Sequence, residues 1–346
     1  MSLDKKYDLI AMDITSNCNL RCPFCLNDYS QIKGNTFITD ELFNKAMQLL
    51  PLTHDGLFFI SCLFEPTIHT EFINFLEKIP LEYRKKVFFT TNLAKKLSDE
   101  TLERLSCIKL HHINISLDSL NAELFEKLRK GAKLKVFIDN LERLTSHFSK
   151  NPDAPEIRYL TLVFKSNLKE IPELVEKCAT QYLSSLHNIR PVWKVKTNAD
   201  WLAEEYINAN ELEILKKQLA QFSYTYSVGP LHNENAFLHE KNYTYIVPPT
   251  AIRISSNGRV EFLEREVFIN LNDIKEPYNF FKDMLSFLEL DLSRANELQK
   301  MLKRVNDFSH PTTQPQHLST FNFFRGKIRD NLLMGKVHKI INYMKK

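Results

Sequence analysis

Three cysteines lie within eight residues near the start of the chain, at Cys18, Cys22 and Cys25, with the spacing Cys-x3-Cys-x2-Cys. Three thiolates in one short loop can each bind a different iron of a [4Fe–4S] cube, whereas an ordinary ferredoxin site uses four cysteines. Three protein ligands leave the fourth iron open to a substrate or cofactor. The spacing therefore predicts an iron–sulfur centre with one open coordination position.

Other chemistries of clustered cysteines suit this chain less well. A zinc site needs a fourth Cys or His ligand, and no further C-x2-C or H-x3-H pair occurs in the chain. A thioredoxin-type redox pair would use Cys22 and Cys25, but it would leave Cys18 without a function. Structural cysteines without a ligand rarely cluster so tightly. The iron–sulfur centre is the favoured interpretation, with a cluster- or zinc-holding binding module as the alternative.

The composition excludes several function classes. The 346 residues include only seven glycines, no two closer than nine residues, so the paired glycines of NAD and ATP loops are missing. The net charge of +4 is concentrated in residues 325–346, where seven Lys and Arg stand against one acid. The rest of the chain is near neutral, so no nucleic-acid partner is predicted. We expect a cytoplasmic protein, because no long apolar run and no signal-peptide pattern occur.

The elements around the cysteine loop must position it. An apolar run at 7–15 directly precedes the loop and predicts a first strand. Short apolar runs then alternate with amphipathic segments as far as residue 196, which is typical of right-handed βαβ units in a parallel sheet or barrel. The further predicted strands are 57–61, 87–91, 112–117, 157–164 and 188–195, and the predicted helices are 39–50, 69–79, 98–106, 121–129, 133–144 and 169–182.

The pattern changes after residue 196. One more helix is predicted at 210–222, residues 223–245 are polar and irregular, and Asn257-Gly258 predicts a hairpin at 251–263. Two further helices are predicted, at 277–288 and 292–305. Residues 325–346 carry apolar residues at helical spacing beside a basic face. We expect this tail to pack on the body as an amphipathic helix, and a membrane surface or an acidic partner is the alternative.

The cysteine loop after a first strand, with Phe24 before the third cysteine, resembles the signature of the radical S-adenosylmethionine (SAM) superfamily. The resemblance extends over residues 7–195. Residues 58–66 look like the family's Gly-Gly-Glu-Pro loop, residues 88–92 look like its Thr-Asn-Gly segment, and residues 113–119, followed by Arg129, look like its fourth-strand segment. It implies an α/β fold, a partial (β/α)6 TIM-like barrel with a small C-terminal α+β extension.

The resemblance also implies the cofactors and the site. Cys18, Cys22 and Cys25 would hold one [4Fe–4S] cluster with SAM on its open iron. Reductive cleavage of SAM would then yield a radical that abstracts a substrate hydrogen, a chemistry supplied by the cofactors. The implied SAM contacts are Glu65 to the ammonium, Arg129 to the carboxylate, Ser116 and Asp118 to the ribose or carboxylate, and Phe24 to the adenine.

Each SAM contact has a purely structural alternative. Arg129 would be an exposed helix residue, Phe24 a core residue, and Asp118 or Ser119 the N-cap of the following helix. For Glu65 such an alternative is harder to find, because a charged group at a strand end must be exposed or paired.

The sequence departs from the family pattern at three positions. Leu63, Phe64 and Leu93 stand where the family has glycine. Larger side chains restrict the approach of backbone to a ligand, so a non-catalytic member of the family is the alternative.

The region after residue 196 adds two further predictions. Residues 251–263 resemble the hairpin of the SPASM or twitch extension, which normally carries cysteines for auxiliary clusters. No cysteine follows Cys178, so a single cluster is predicted. The predicted domains are a core at 1–196, the extension at 197–320 and the basic helix at 321–346.

One further cysteine is a candidate catalytic group. Cys62, beside Glu65, would return a hydrogen atom to the substrate, and a buried structural thiol is the alternative. The sequence as a whole predicts a radical SAM enzyme that acts on a peptide or a carbohydrate-type metabolite and receives electrons from a flavodoxin- or ferredoxin-like donor. The alternative function is a non-catalytic binding module.

Overall fold

A computed structural model describes residues 6–194, 198–229, 231, 250–262 and 265–288. The described strands are β1 Leu9–Met12, β2 Phe58–Ile60, β3 Val87–Thr91, β4 His112–Ser116, β5 Glu156–Val163, β6 Ser184–Pro191, β7 Tyr226–Val228, β8 Ala251–Ile254, β9 Arg259–Phe262 and β10 Arg265–Asn270. The described helices are α1 Asp40–Met47, α2 Phe72–Lys78, α3 Asp99–Cys107, α4 Ala122–Leu128, α5 Leu134–Ser149, α6 Ile171–Gln181, α7 Ala209–Leu219 and α8 Pro277–Leu288.

All of these strands belong to one sheet, in the order β10-β9-β8-β1-β2-β3-β4-β5-β6-β7. Neighbouring strands from β1 to β7 run parallel, and each of the first six is followed by at least one helix. The predicted α/β fold of six strand–helix units is confirmed. Because the strands are parallel, their carboxyl ends lie on one edge of the sheet, where barrels of this type place their chemistry.

The strands bury one face against the helices and leave the other partly open. In β3, Val87, Phe89 and Thr91 are buried while Phe88 and Thr90 are only partly so, the alternation expected of a strand. Several helices begin at side-chain caps: Ser98 accepts from Thr101 N at the start of α3, and Asn121 accepts from Leu124 N at the start of α4. These contacts satisfy amide groups that a helix start leaves unpaired.

Three rings stack across neighbouring strands on the face opposite the helices. The ring centroids of Phe59 and Phe88 lie 4.5 Å apart, and those of Phe88 and His112 lie 4.4 Å apart. We call Phe59, Phe88 and His112 the aromatic ladder. His111 and His112 are neighbours in the chain, but only His112 belongs to β4. His111 lies just before β4 rather than in it, and the two Nδ1 atoms are 2.8 Å apart.

The C-terminal hairpin is part of the same sheet. The predicted hairpin is present as β8 and β9, and β8 pairs in parallel with β1, with Ala11 opposite Arg253. Gly258 in the turn has φ 90°, a conformation that favours glycine. The sheet therefore includes strands from both sides of residue 196, and the domain boundaries stay a prediction.

Two differences from the sequence predictions concern the C-terminal half. The segment 223–245, predicted as irregular, contains β7, which pairs with β6. A strand of three residues is too short to show a periodic pattern. The helix predicted at 277–288 is present as α8, while the helix at 292–305 and the basic tail at 325–346 lie outside the described residues. No helix in the described part of the chain is long and apolar enough to cross a membrane.

Candidate active site

The three clustered cysteines lie in the loop that follows β1 at the carboxyl edge of the sheet, and all are partly buried. Within the loop, the Cys25 amide donates to the Cys22 carbonyl at 3.1 Å. Burial raises the pKa of the Cys18 thiol to about 11 and that of the Cys22 thiol to about 12, and neighbouring thiols add to both shifts. At Cys22 the Arg129 guanidinium acts in the opposite direction. The thiols are thus close enough to influence one another and Arg129.

The arrangement of these thiols fits a cube better than a single metal ion. No three His, Cys, Asp or Glu side chains among the described residues gather as ligands of one ion, which a tetrahedral zinc site would require. In a cube each thiolate binds a different iron, so the thiolates need not converge on one point. Bound metal also favours the thiolate, which burial alone disfavours. The residues present therefore fit a [4Fe–4S] cluster.

Glu65 is fully enclosed by protein groups. It follows β2 in the loop of residues 61–65, which we call the β2 loop, and is 3% exposed. One carboxylate oxygen accepts from the Thr67 amide, the Thr67 hydroxyl and the Thr91 hydroxyl, at 3.2, 2.6 and 2.7 Å. The other accepts from the Asn92 amide at 2.6 Å. Burial raises the pKa of Glu65, and these hydrogen bonds oppose the shift.

Asn92 links Glu65 to the cysteine loop. Its side-chain amide donates to Cys18 Sγ at 3.4 Å and to Asn19 Oδ1 at 2.9 Å. The sequence identified Asn92 as part of a motif but gave it no function. Glu65 therefore holds the end of β3, and the end of β3 contacts a predicted cluster ligand. The contact between Glu65 and the SAM ammonium stays a prediction.

The end of β3 keeps a glycine-like backbone without a glycine. Leu93 has φ 51°, in the left-handed region that costs most residues free energy. Its amide donates to the Thr91 hydroxyl at 3.0 Å, and its carbonyl accepts from the Asn140 side chain at 2.9 Å. These bonds, together with burial of the leucine side chain, hold a turn that the family resemblance assigns to glycine.

Asp118 and Arg129 form a buried ion pair beside the cysteine loop. Arg129 Nη2 lies 2.8 Å from Asp118 Oδ2, and their side chains are 7% and 0% exposed. The other oxygen of Asp118 accepts from the Leu162 amide at 2.8 Å. Burial raises the pKa of Asp118, and Arg129 opposes the shift. Arg129 Nε is buried, and no described group accepts a hydrogen bond from it.

The structure contradicts two of the purely structural alternatives that the sequence left open for Arg129, Asp118 and Ser119. Arg129 is 6% exposed, so the interpretation as an exposed helix residue is wrong. Asn121, and not Asp118 or Ser119, is the N-cap of α4. A buried guanidinium with a spare donor beside Cys22 is an arrangement that can bind a carboxylate, which fits the predicted SAM contact.

The remaining predicted site residues surround this edge at different depths. Phe24 packs against Phe164, with ring centroids 5.3 Å apart, and its ring centroid is 5.9 Å from Arg129 Cζ. Ser116 is the partly exposed last residue of β4. Cys62, in the β2 loop, is partly buried. Burial raises its pKa to about 12, and nearby Asp13 adds to the shift, so the side chain stays a thiol.

One group at this edge was missed by the sequence reasoning. Asp13 directly follows β1, is 1% exposed, and pairs with Arg253 of the hairpin, whose Nη2 lies 2.8 Å from Asp13 Oδ2. The available signal was an acidic residue at the end of an apolar strand, which must be paired if it is buried. Its partner is 240 residues away in the sequence, and no local pattern identifies it.

Comparisons with known proteins agree with this geometry. Residues 12–178 match the model of the radical SAM superfamily. A probable GTP 3′,8-cyclase of Methanocaldococcus jannaschii is 24% identical over 253 residues, covering 66% of this chain and 78% of that protein. A GTP 3′,8-cyclase of Listeria welshimeri is 27% identical over 146 residues, but the match covers only 41% of that enzyme and 40% of this chain.

Solved structures show the same fold. SuiB of Streptococcus suis bound to SAM has a TM-score of 0.62 and 18% identity, covering 81% of this chain and 67% of SuiB. The structure of SuiB bound to its precursor peptide SuiA has a TM-score of 0.56 and 17% identity, covering 80% and 66%. The chain belongs to the radical SAM superfamily and is an enzyme of that family. Its cofactors are a [4Fe–4S] cluster and SAM.

Proposed function

We propose that this enzyme uses a single [4Fe–4S] cluster, held by Cys18, Cys22 and Cys25, and abstracts a hydrogen atom from a peptide or a carbohydrate-type metabolite. When bound, the cluster supplies the electron that cleaves SAM, and SAM supplies the radical. The observation that carries the proposal is the position of the cysteine loop beside the buried Asp118–Arg129 pair, where Arg129 Nε lacks a partner among the described residues.

The protein groups around the cofactors have separate tasks in this proposal. Arg129 binds the SAM carboxylate through its spare donor while Asp118 keeps the guanidinium in place. Asn92 donates toward Cys18 Sγ, which stabilises a thiolate ligand. Glu65 fixes Asn92 and the β2 loop. The glycine-like turn at Leu93 is maintained despite its cost, which supports a working cofactor site over a non-catalytic family member.

The face opposite the helices is the proposed substrate side. Below the cofactor edge it presents first polar groups, with Asn114 donating to the Thr90 hydroxyl at 3.3 Å, and then, nearer the amino ends of the strands, the aromatic ladder. Such a mixture suits a ligand with both apolar and hydrogen-bonding groups. SuiB, which has this fold, is a protein solved with a peptide, and this supports a peptide as the first candidate substrate.

Hydrogen transfer from the substrate tests this function. The reconstituted enzyme is incubated with SAM and a reductant and with deuterated peptides, sugars or GTP, and the 5′-deoxyadenosine is analysed by mass spectrometry. Deuterium in 5′-deoxyadenosine from a peptide or a sugar supports the proposal. Deuterium transfer only from GTP contradicts the proposed substrate class. The matched control is the variant C18A/C22A/C25A, which should release no labelled product.

The number of clusters has its own test. No cysteine follows Cys178, so an auxiliary cluster cannot be held by thiolates in the extension. Iron analysis of the anaerobically reconstituted protein should give about four irons per chain, the content of one [4Fe–4S] cluster. About eight irons per chain would contradict the single-cluster proposal.

Cys62 is the proposed hydrogen-atom donor. Its thiol would give a hydrogen atom to the substrate radical and become a thiyl radical. The flavodoxin- or ferredoxin-like donor would then have to supply an electron, and solvent a proton. We expect C62A to cleave SAM at the wild-type rate but to form no reduced product. Unchanged product formation would show that Cys62 is a structural thiol.

A further inference from the structure

The hairpin reaches the cofactor edge through one arginine. Arg253 of β8 directs Nε and Nη2 to Asp13 Oδ2, at 2.9 and 2.8 Å, and Nη1 to Glu261 Oε2 of β9 at 3.3 Å. The Asp13 side chain is 1% exposed and that of Arg253 is 16% exposed. The backbone supports the same junction, because the Asp13 amide donates to the Ile254 carbonyl at 2.8 Å.

The second oxygen of Asp13 holds the β2 loop. Asp13 Oδ1 accepts from the Leu63 amide at 2.9 Å. The Leu63 carbonyl accepts from the Asn27 side chain of the cysteine loop at 2.8 Å. Leu63 is therefore fixed on one side by the hairpin junction and on the other by the cluster-binding loop. Its position is one where the resembled family has a glycine.

The β2 loop needs such support because it begins in a costly conformation. Ser61 has φ 65°, which is unfavourable for a residue other than glycine. Its amide donates to the Met12 carbonyl at 2.6 Å, directly before Asp13. Cys62, Leu63 and Phe64 follow Ser61 directly, and Glu65 comes after them. The fixed ends of the loop determine where its backbone faces the cofactor.

A buried ion pair is weak evidence for stability, because removing two charges from water costs about as much as their attraction returns. Replacing such a pair by apolar residues of similar volume is often neutral or stabilising. The Asp13–Arg253 pair therefore needs an explanation other than stability. Its contacts with Leu63 and with the hairpin indicate that it positions the β2 loop.

We propose that Asp13 and Arg253 are positioning residues through which the C-terminal hairpin holds the β2 loop in the shape that binds SAM. This inference rests on the proposed function and on the sequence-based expectation that the β2 loop contacts SAM through Glu65. It assigns the hairpin a task at the cofactor. Substitutions in the hairpin should then change SAM affinity even though Arg253 itself does not touch SAM.

The test uses the full chain with its reconstituted cluster. The variant D13L/R253M replaces the pair by apolar residues and leaves no unpaired charge. Equilibrium dialysis measures the dissociation constant of SAM, and amide hydrogen exchange measures protection of the β2 loop. We expect weaker SAM binding by about tenfold, within the range lost when groups that orient a cofactor's ligands are removed. Exchange at Leu63 should become faster, while iron content and melting temperature stay near wild type.

Two further variants separate positioning from structure. D13N keeps an oxygen for the Leu63 amide but turns an NH2 donor toward Arg253, so it should lose part of the SAM affinity, less than D13L/R253M loses. D153N removes an exposed ion pair, Lys109–Asp153, in which the atoms are 2.6 Å apart, and it should behave as wild type in every measurement.

The outcomes distinguish this inference from the proposed function. If wild type binds SAM and D13L/R253M binds it equally well, with an equally protected β2 loop, the positioning function is wrong and the proposed function stands. Loss of iron and a large fall in melting temperature in D13L/R253M would make the pair structural and would also overturn the inference. If wild type itself binds no SAM, both fail.

Discussion

The cofactor edge and the aromatic ladder bury opposite kinds of side chain: the first buries charged groups, and the second buries stacked rings. At the cofactor edge, meaning the cysteine loop with Glu65, Asp118 and Arg129, charged groups are buried and depend on specific partners. In the ladder, Phe59, Phe88 and His112 stack with rings 4.4 to 4.5 Å apart and carry no partnered charge. Buried charges cost stability unless paired, whereas stacked rings add to it. We expect SAM binding and cleavage to depend on the first region and stability on the second.

The largest expected effect is at the cluster ligands. C22A should abolish formation of 5′-deoxyadenosine, because removal of a thiolate ligand prevents assembly of a cluster with one open iron. Absorbance of the reconstituted protein, iron content and product release by chromatography measure the loss. C107A is the matched control, because Cys107 is exposed on α3, and it should keep full activity. A C22A variant that assembles a wild-type cluster would show that Cys22 is not a required cluster ligand and would contradict this prediction.

Arg129 provides the next largest effect. R129K keeps the positive charge beside Asp118 but loses the planar guanidinium and its spare Nε donor. We expect the dissociation constant of SAM to rise about tenfold, the equivalent of one charge-assisted hydrogen bond. Equilibrium dialysis measures it, and thermal unfolding should change little. Equal SAM affinity in R129K and wild type would show that Arg129 serves only the ion pair.

Phe88 should show the reverse pattern. F88A removes the middle ring of the aromatic ladder, and we expect a loss of about 2–3 kcal/mol in the free energy of unfolding, somewhat less than for a fully buried phenylalanine. Urea unfolding measures the loss, and F88L is the control that keeps most of the apolar volume. SAM affinity of the folded F88A protein should equal wild type. A tenfold weaker SAM affinity would mean that the two regions are not separate.

The smallest expected effect is a pH dependence in the ladder. Burial, with Arg158 and His111 nearby, lowers the pKa of His112 to about 3. The unfolded chain takes up a proton near pH 6.5 while the native state does not, so stability falls as the pH is lowered from about 6.5 toward 3, by up to about 1.4 kcal/mol per pH unit. H112F should reduce this slope between pH 6.5 and 5 in urea unfolding. H54N, at an exposed position, is the control, and an unchanged slope in H112F would contradict the assignment.

The sequence was most informative where the pattern is local. The cysteine spacing identified the loop and its chemistry, and the alternation of apolar and amphipathic segments identified the α/β fold. The strand β7 was missed because three residues carry no measurable period.

The site depends on contacts that no local pattern reveals. Glu65 was chosen as a SAM contact, but its partners Thr91 and Asn92 come from the next strand, and the structure shows both of its oxygens accepting bonds from protein groups. The loss of glycine at Leu63 and Leu93 was visible in the sequence. The compensation was not, because it comes from Asp13 and Asn140, which are distant along the chain.

The central claim is that the cysteine loop and the buried Asp118–Arg129 pair form a working SAM site despite the missing glycines. The most direct measurement is release of 5′-deoxyadenosine by the anaerobically reconstituted protein after addition of SAM and a strong reductant. We predict release that requires all three cysteines, from a protein with about four irons per chain. A protein that holds this cluster and binds SAM, yet releases no 5′-deoxyadenosine on reduction, would contradict the account.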